Sequence, residues 1–276
     1  MILITEDKII LITGSTDGIG YQTALELVKS GYHVIVHGRN WEKAESMIQR
    51  IEKITNKNNM SSVYADLSSL NEIKEMVKDI YDHFNRLDVL INNAGVYKSK
   101  RQITPEGLEE TFAINYVAPF LLTNLLINLL KKAKPSRIVN VVSRVQSNHL
   151  DFNDLQFERG YTGVKAYARS KTALILFTYL LADKLHNTDI TVNCLHPGVI
   201  NTKLLRSAYG SGGAPLSDGA KTLIFAALAP ELENVSGKYV VNNRSELSKD
   251  ITYNKEIQKR LWKKTEEIIG IEFGNF

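Results

Sequence analysis

The chain has 276 residues, of which 34 are basic and 30 acidic, and its formal net charge is +4. This length, with 43% hydrophobic residues, is enough for the core of one α/β domain. The charge is too mild, and Lys and Arg are too scattered, for nucleic-acid binding to be expected. The single cysteine, Cys194, provides no disulfide framework and no metal-ligand spacing, so we expect no metal site and a reducing compartment.

Apolar segments rich in β-branched residues alternate along the chain with segments of helical periodicity. This alternation is typical of repeated βαβ units, which build a parallel sheet with helices on both faces. Strands are predicted at residues 8–13, 33–37, 61–65, 87–91, 137–143 and 190–196. No linker or internal repeat divides the chain, so the sequence predicts an α/β fold with a doubly wound parallel sheet in one domain, residues 1–276.

Amphipathic helices are predicted between these strands. Six apolar residues at three- and four-residue spacing predict a buried stripe on the second helix: Trp41, Ala44, Met47, Ile48, Ile51 and Ile54. Ser69 followed by Glu72 fits a capping box on the third helix. A later helix carries more leucine than one sheet contact is expected to cover, which predicts a homo-oligomer; its leucines are Leu121, Leu122, Leu125, Leu126, Leu129 and Leu130.

Membrane and secretory segments are not expected. The most apolar stretch, residues 120–130, is interrupted by polar residues and is shorter than the roughly 20 apolar residues needed to span a bilayer. The N-terminal residues lack the basic segment and long apolar stretch of a secretory signal. A cytoplasmic location is therefore expected.

Two segments interrupt the α/β alternation, residues 145–164 and residues 203–218. Long loops beyond the carboxyl ends of parallel strands commonly bind ligands, so both are predicted to form walls of a substrate site. Apolar residues in them suggest a partly apolar pocket: Leu204, Leu205, Ala208, Tyr209 and the segment 152–161.

A glycine-rich turn lies between the first strand and the first helix. Its glycines, Gly14, Gly18 and Gly20, have the spacing G-x-x-x-G-x-G. Glycine permits a tight turn and close backbone approach, and the helix N-terminus that follows attracts a pyrophosphate. The turn predicts a dinucleotide site that also includes Ser15, Thr16, Asp17 and Ile19.

The end of the second strand indicates which dinucleotide binds. An NAD-specific fold places Asp or Glu there to bind the ribose 2′-hydroxyl, whereas this sequence has His37-Gly38-Arg39-Asn40. The Arg39 guanidinium can pair with a 2′-phosphate in a bidentate manner. NADP(H) is therefore predicted rather than NAD(H).

Two further strand ends are assigned to the same cofactor. Asp66, with Leu67 beside it, follows the third strand and can accept a hydrogen bond from the adenine amino group. Asn93, Ala94 and Gly95 follow the fourth strand, where small residues leave room for the adenosine ribose and side-chain amides tie neighbouring strands together.

Together these motifs resemble the short-chain dehydrogenase/reductase family, which has a Rossmann-type fold. The resemblance covers residues 8 to about 245 and rests on the glycine spacing, Asn-Asn-Ala-Gly, Ser143, Tyr167-Ala-Arg-Ser-Lys171 and the segment from Pro197 to Thr202. The gap between Ser143 and Tyr167 and the tail Arg260-Leu-Trp262 are similar to the retinol-dehydrogenase-like branch. Asp17 departs from the basic residue that some NADP-dependent members carry in the glycine turn.

Reduction of a carbonyl leaves an alkoxide, so the site needs a proton donor with a lowered pKa. Tyr167 and Lys171 are four residues apart, which places both on one helix face, where the cation stabilises a phenolate. The resemblance implies that Tyr167 is the general acid/base, that Lys171 lowers its pKa and holds the cofactor ribose, and that Ser143 orients the substrate oxygen. It also implies that Asn115 anchors a water in a proton relay to Lys171.

The nicotinamide end of the cofactor is assigned to the segment after the sixth strand. There, Val199 backbone groups face the carboxamide, Thr202 bonds it, and Pro197 and Gly198 end the strand. Tyr161-Thr-Gly-Val-Lys165 also satisfies Y-x-x-x-K, but Gly163 weakens a helix there, so Tyr167 and Lys171 are preferred.

These features predict an NADP(H)-dependent enzyme that interconverts a carbonyl and an alcohol. Two alternatives stay open: a reductase of C=C bonds, and a non-catalytic NADP-binding sensor or scaffold. The substrate is a small molecule, and resemblance to retinol dehydrogenases suggests a lipophilic alcohol or aldehyde.

Overall fold

The computed structural model describes residues 8–274, except for the side chain of Tyr209. Within them eight strands form one sheet in the order β3-β2-β1-β4-β5-β6-β7-β8, parallel except for the antiparallel pair β7 and β8. The strands are β1 (Ile9–Ile12), β2 (His33–Gly38), β3 (Met60–Tyr64), β4 (Val89–Asn92), β5 (Ser136–Val141), β6 (Ile190–His196), β7 (Tyr239–Val241) and β8 (Arg244–Glu246). The predicted doubly wound α/β sheet is confirmed, and its strand order reverses between β1 and β4.

Helices cover both faces of the sheet. They are α1 (Gly18–Lys29), α2 (Trp41–Thr55), α3 (Leu70–His83), α4 (Glu110–Phe112), α5 (Ala118–Lys132), α6 (Gly163–Lys184), α7 (Lys203–Tyr209), α8 (Leu216–Leu228) and α9 (Lys255–Ile269). A π-helical turn, Ala113–Val117, joins α4 to α5. Residues of α1, α2 and α8 form one hydrophobic cluster, and residues of α3, α5, α6 and α9 form the other.

The alternation of side chains along β1 shows why the sheet needs helices on both faces. Leu11 belongs to the cluster under α3, α5 and α6, whereas Ile10 and Ile12 belong to the cluster under α1 and α8. All three are fully buried. Successive residues of a strand point to opposite faces, so a continuous apolar run requires two covering layers.

The predicted stripe on α2 is only partly buried. Ala44, Met47 and Ile51 are in the core, but Trp41 is 57% exposed and Ile54 is 52% exposed. Those two residues lie in the first and last turns of α2, beyond the narrow face that meets the sheet. The prediction that all six residues are core was therefore wrong at both ends.

The capping box at the start of α3 is half formed. The Ser69 side chain accepts a hydrogen bond from the Glu72 backbone N–H at 3.3 Å. The Glu72 carboxylate, however, accepts from the Asp66 backbone N–H at 2.7 Å. The Glu72 side chain therefore closes the turn after β3, and only the Ser69 half of the capping box is formed.

The leucines of α5 are covered within the chain itself. Five of the six are buried, and Leu125 is partly buried. Phe120 at the start of this face packs against Phe177 of α6 at 5.1 Å and Trp262 of α9 at 4.8 Å between ring centroids. The leucine surface from which we predicted a homo-oligomer is thus covered by other parts of the same chain. Oligomerisation stays a prediction, but α5 no longer supports it.

One helical stretch of the described residues, Glu110–Lys132, is long and apolar enough by composition to cross a membrane. Its most apolar window is 89% buried inside the fold, which is also what the core helix of a globular protein shows. The stretch is therefore weak evidence for a membrane span. The cytoplasmic location stays a prediction.

Candidate active site

A cleft of about 1480 Å³ opens at the carboxyl ends of the central strands, at the point where the strand order reverses. Open parallel sheets bind ligands at this position. Most residues assigned from the sequence line it: Gly14, Thr16, Asp17, Gly18, Ile19, Arg39, Asp66, Leu67, Asn93, Ala94, Gly95, Ser143, Tyr167, Lys171, Pro197, Gly198, Val199 and Thr202. Ser15, Gly20 and Asn115 do not.

The glycines of the turn after β1 have two different roles. Gly14 has φ +64°, and a Cβ there would lie 3.0 Å from Ala94 Cα, so the turn forms a cradle that a side chain would fill. Gly20 lies behind the cradle. A Cβ on it would lie 2.5 Å from both Asn93 Nδ2 and the Gly14 carbonyl oxygen, so Gly20 permits close packing and does not touch the cleft.

Ser15 is also turned away from the cleft. It is fully buried, and its hydroxyl accepts a hydrogen bond from the His37 backbone N–H at 2.8 Å. Its own N–H donates to the His37 carbonyl at 3.1 Å. The assignment of the Ser15 side chain to the cofactor was therefore wrong, because Ser15 fastens the turn to β2.

His37 completes this connection, and the sequence analysis gave it no role. Its Nδ1 accepts from the Gly14 N–H at 3.0 Å, and its Nε2 lies 3.2 Å from the Ala65 carbonyl. A carbonyl only accepts, so the proton is on Nε2 and the ring is neutral. Complete burial lowers the pKa of His37 to about 4. The ring thus joins the glycine turn to the end of β3.

Where α2 borders the cleft, two cations, Lys43 and Arg50, and one carboxylate, Glu42, line it. Arg39, just before α2, is exposed and lines the cleft as well. The Arg50 guanidinium lies 4.4 Å from the centroid of the Tyr21 ring. The analysis of the sequence missed Lys43 and Arg50, although their spacing of seven residues places them on one face of α2.

Asp17 caps α1 and also reaches across the cleft. One carboxylate oxygen accepts from the Gly18 N–H at 2.8 Å, and the other pairs with Lys203 of α7 at 2.5 Å. Burial alone would raise the pKa of Asp17, but the bonds from Lys203 and Gly18 outweigh it and lower the pKa. Lys203 therefore neutralises the carboxylate that stands in the glycine turn.

The segment after β4 is tied to β1, as the sequence analysis expected. Thr13 Oγ1 accepts hydrogen bonds from the backbone N–H groups of Asn93 and Ala94, each at 3.0 Å. The Asn93 side-chain amide donates to the Thr13 carbonyl at 2.8 Å. At the end of β3, Asp66 Oδ1 accepts from the Ser68 N–H at 2.9 Å, and Asp66 still lines the cleft.

Helix α6 begins at Gly163 and carries Tyr167 and Lys171 into the cleft. Lys171 Nζ donates to the Val141 carbonyl at 2.8 Å and lies 5.7 Å from the centroid of the Tyr167 ring. Burial lowers the pKa of Lys171 to about 8. At the end of β5, Ser143 Oγ accepts from the Val145 N–H at 3.1 Å. Three of the four predicted catalytic side chains, Ser143, Tyr167 and Lys171, therefore line one cleft.

Asn115 lies under this group, in the π-helical turn. Its Oδ1 accepts from the Val96 N–H at 2.8 Å, and its Nδ2 donates to Ser170 Oγ at 3.0 Å. A Cβ on Gly95 would lie 3.4 Å from both Asn115 Oδ1 and Lys171 Nζ. The Asn115 side chain thus joins the segment after β4 to α6, and its relay to Lys171 stays a prediction.

Tyr161, the other tyrosine of a Y-x-x-x-K pattern, precedes α6. Its hydroxyl oxygen lies 3.0 Å from the Lys98 carbonyl oxygen and 3.2 Å from Glu109 Oε1, which share its one proton as acceptors. Burial raises the pKa of Tyr161 to about 12. Tyr161 does not line the cleft.

None of the residues 152–161 lines the cleft, so the assignment of this segment as a substrate wall was wrong. Phe157 is buried, with its ring centroid 5.6 Å from that of Tyr161 and 3.8 Å from the Arg169 guanidinium. From residues 145–164, Val145 does line the cleft.

Helix α7 supplies the wall that the sequence predicted in residues 203–218. Leu204, Leu205 and Ala208 line the cleft, whereas the side chain of Tyr209 lies outside the described part of the structure. The sequence analysis missed other side chains at this end: Tyr97, Arg144 and His196. Tyr97 and Arg144 lie after β4 and β5 and belong to no motif, whereas His196 is the last residue of β6.

These residues fit a dinucleotide cofactor. The cradle at Gly14 excludes a side chain, the N-terminus of α1 opens onto the cleft, and cations line it beside α2. Among residues 8–274, no three His, Cys, Asp or Glu side chains form a group that could hold a metal ion.

Comparisons of sequence agree with this site. A model of the short chain dehydrogenase family matches residues 8–210. The chain is 38% identical to polyprenol dehydrogenase from Homo sapiens over 283 residues, which cover 96% of the chain and 86% of that protein. It is 36% identical to retinol dehydrogenase 13 from Homo sapiens, with 96% and 85% covered.

Solved structures share the fold. A protein from Mycobacterium paratuberculosis superposes with a TM-score of 0.80 at 25% identity, over 97% of this chain and 95% of that one. A short chain dehydrogenase from Shigella flexneri 2a, complexed with NADP, has a TM-score of 0.71 at 26% identity, over 85% and 96% of the two chains.

Proposed function

The chain belongs to the short chain dehydrogenase family, in its retinol-dehydrogenase-like branch, and from this premise we propose that it is an NADP(H)-dependent enzyme interconverting a carbonyl and an alcohol. The observation that carries the proposal is the position of Lys171 beside Tyr167 on α6, in the same cleft as the glycine cradle. A phenol, a buried cation and a dinucleotide cradle in one cleft are the parts that hydride transfer to a carbonyl needs.

A nicotinamide held in this cleft would supply or accept the hydride, and the residues of the chain would transfer the proton. In reduction, the Tyr167 hydroxyl gives its proton to the substrate oxygen as negative charge develops there. Lys171 stabilises the resulting phenolate because its positive charge lies close to the ring. Ser143 lines the cleft beside them, where its hydroxyl can donate to the substrate oxygen and orient it.

Arg39 supports NADP(H) over NAD(H). It is exposed and lines the cleft, as Lys43 does, so two cations are available to a 2′-phosphate. The relative from Shigella flexneri was solved with NADP.

The substrate we propose is a lipophilic alcohol or aldehyde. Leu204, Leu205 and Ala208 give the far end of the cleft an apolar wall. Two relatives carry the names polyprenol dehydrogenase and retinol dehydrogenase 13, which fits such a substrate class.

A panel of aldehydes, ketones and enones tests the proposal, with consumption of NADPH followed by absorbance and products identified by mass. We expect aldehydes to yield alcohols, and Tyr167→Phe to lower this activity at least about a hundredfold. Saturation of the enones without alcohol formation would favour the C=C reductase instead. NADPH binding without turnover of any compound would favour the sensor or scaffold.

A further inference from the structure

Helix α9 reaches the π-helical turn that carries Asn115 through one buried hydrogen bond. Tyr116 follows Asn115 in this turn, and its hydroxyl oxygen lies 2.6 Å from Thr265 Oγ1 of α9. Both residues are fully buried. Thr265 Oγ1 donates its own proton to the Leu261 carbonyl at 2.7 Å, so the Tyr116 hydroxyl is the donor to Thr265. The C-terminal helix is thereby bonded to the residue next to Asn115.

The turn itself is not a regular α-helix. The Ala118 N–H donates to the Ala113 carbonyl five residues earlier, whereas an α-helical N–H donates to the carbonyl four residues earlier. Such π-helical turns are rare in proteins and are frequent at functional sites. Asn115 and Tyr116 are neighbours in it, so their side chains leave the turn in different directions. The contacts of both side chains therefore determine where the turn lies.

The Asn115 side chain connects the turn to the helix that carries the predicted proton donor. Its Nδ2 donates to Ser170 Oγ at 3.0 Å, and Ser170 Oγ donates to the Tyr167 carbonyl at 2.8 Å. Its Oδ1 accepts from the Val96 N–H at 2.8 Å. Both polar atoms of the side chain are thus paired, and they stay paired only while the turn holds the Asn115 backbone in place.

We propose that Tyr116 and Thr265 are positioning residues, through which helix α9 holds the Asn115 amide in the active site. This inference rests on the proposed function, since it assigns the amide to a reaction carried out beside Lys171. A Cβ on Gly95 would lie 3.4 Å from both Asn115 Oδ1 and Lys171 Nζ, so the amide lies near the ammonium group. Asn115 does not line the cleft, so its displacement changes the surroundings of Lys171 without removing a contact to the cofactor.

Tyr116→Phe removes the bond between the two helical segments and little else. The Tyr116 ring packs between two other rings, with centroids 5.0 Å from that of Phe112 and 6.2 Å from that of Phe120. These contacts do not involve the hydroxyl, so the ring keeps its place when the hydroxyl is removed. Thr265 Oγ1 keeps its bond to the Leu261 carbonyl in this variant.

Tyr179 provides a matched control. Its ring is also buried, and its hydroxyl oxygen lies 2.8 Å from Ser248 Oγ in the segment after β8. It stands on α6 roughly three turns beyond Tyr167. Tyr179→Phe therefore removes a buried hydroxyl that bonds to the C-terminal part of the chain, as Tyr116→Phe does, but that is not attached to the π-helical turn.

Two measurements report the position of Asn115. The first is kcat and KM for NADPH, with the aldehyde of the panel that the wild type reduces fastest. The second is hydrogen–deuterium exchange of the Val96 amide in the NADP complex, followed by NMR, because this N–H donates to Asn115 Oδ1. The Ala94 amide is the internal control, since it lies in the same segment but donates to Thr13 Oγ1.

We expect Tyr116→Phe to lower kcat and to speed exchange of the Val96 amide, each about two- to tenfold, which is the effect of one lost hydrogen bond. KM for NADPH and exchange of the Ala94 amide should change little. Thr265→Val should reproduce both effects, whereas Thr265→Ser, which keeps the hydroxyl, should show neither. Tyr179→Phe should leave kcat and Val96 exchange unchanged, whatever it does to unfolding in urea.

An unchanged kcat or an unchanged Val96 exchange in Tyr116→Phe would overturn the inference. Equal changes in Tyr116→Phe and Tyr179→Phe would also overturn it, because loss of stability would then explain both. If Tyr116→Phe does not fold, the comparison of Thr265→Val with Thr265→Ser decides on the same terms. If the wild type reduces no aldehyde but the Val96 amide exchanges faster in Tyr116→Phe alone, the proposed function is wrong and the positioning of Asn115 by Tyr116 stands.

Discussion

Lys171 Nζ lies 5.7 Å from the centroid of the Tyr167 ring and is held there by a 2.8 Å hydrogen bond to the Val141 carbonyl. The ammonium group is buried, with 3% of the residue exposed. Burial disfavours the charged form, which lowers the pKa of Lys171 to about 8. Lys171 therefore loses the positive charge that stabilises the Tyr167 phenolate at a pH that enzyme assays commonly cover.

We expect kcat/KM for NADPH, which reports the ionisation of the free enzyme, to fall as pH rises through about 8. The protonated form of Lys171 is the active one, so activity is present below this pKa and lost above it. Lys171→Arg should move the fall to higher pH, because a guanidinium stays protonated. Lys165→Arg, on the exposed side of the same helix, should leave the profile unchanged. A wild-type profile that stays level to about pH 10 would contradict the role of Lys171.

Arg39 is expected to set the cofactor preference. A charge-assisted pair to a 2′-phosphate contributes about 1.5–3 kcal/mol, which is one to two decades in affinity. Arg39→Ala should lower the ratio of NADP to NAD efficiency by this amount, with the loss confined to NADP. Lys53→Ala removes the same charge from the exposed face of α2 and should not change the ratio. The assignment fails if Arg39→Ala also leaves the ratio unchanged.

The buried His37 predicts a pH dependence of stability. Its pKa is about 4 in the fold, below the ordinary value of 6.5, so the unfolded chain binds the proton more tightly. The stabilisation is present above pH 6.5 and is lost as pH falls towards 4. Its size is on the order of 3 kcal/mol.

The measurement is the free energy of unfolding in urea at several pH values between 4 and 6.5. His37→Gln keeps a donor and an acceptor but cannot titrate, so we expect a shallower decline at low pH. Some dependence should persist, because burial also lowers the pKa of His196 to about 4. His149→Gln, an exposed position, should retain the wild-type slope. A slope unchanged in His37→Gln would contradict the assignment.

Features that depend on local spacing were predicted well. The β6 boundaries matched the sequence prediction, since the segment alternates with the helices on either side of it. The cradle at Gly14 and the pair Tyr167 and Lys171 followed from spacing along one turn and one helix. In each case the chain segment that carries the signal also forms the structure.

Features that depend on distant partners were not predicted. Nothing in the α5 sequence shows that Trp262, more than a hundred residues later, covers Phe120. Nor does composition show that Ser15 bonds to His37, or that Phe157 turns inward at φ +52°. Long-range packing decides which side of a segment faces the cleft.

The two tyrosines of the overlapping Y-x-x-x-K patterns now occupy different environments. Tyr167 lines the cleft beside Lys171. Tyr161 lies outside it, with its hydroxyl bonded to the Lys98 carbonyl and to the buried Glu109. The raised pKa of Tyr161, about 12, is the opposite of what a proton donor near neutral pH needs.

We therefore expect Tyr167→Phe to lower turnover at least about a hundredfold, the lower end of what a positioned proton donor contributes, with NADP(H) affinity nearly unchanged. Tyr161→Phe should keep turnover within about tenfold and instead lower the free energy of unfolding by about 1–3 kcal/mol, because it removes a hydroxyl from partners inside the fold. Turnover, cofactor affinity and urea unfolding are measured on both variants. Both variants lose one phenol oxygen and nothing else, so each serves as the control for the other. If Tyr161 proved essential and Tyr167 dispensable, the proton donor would lie outside the cleft and the catalytic assignment would be overturned.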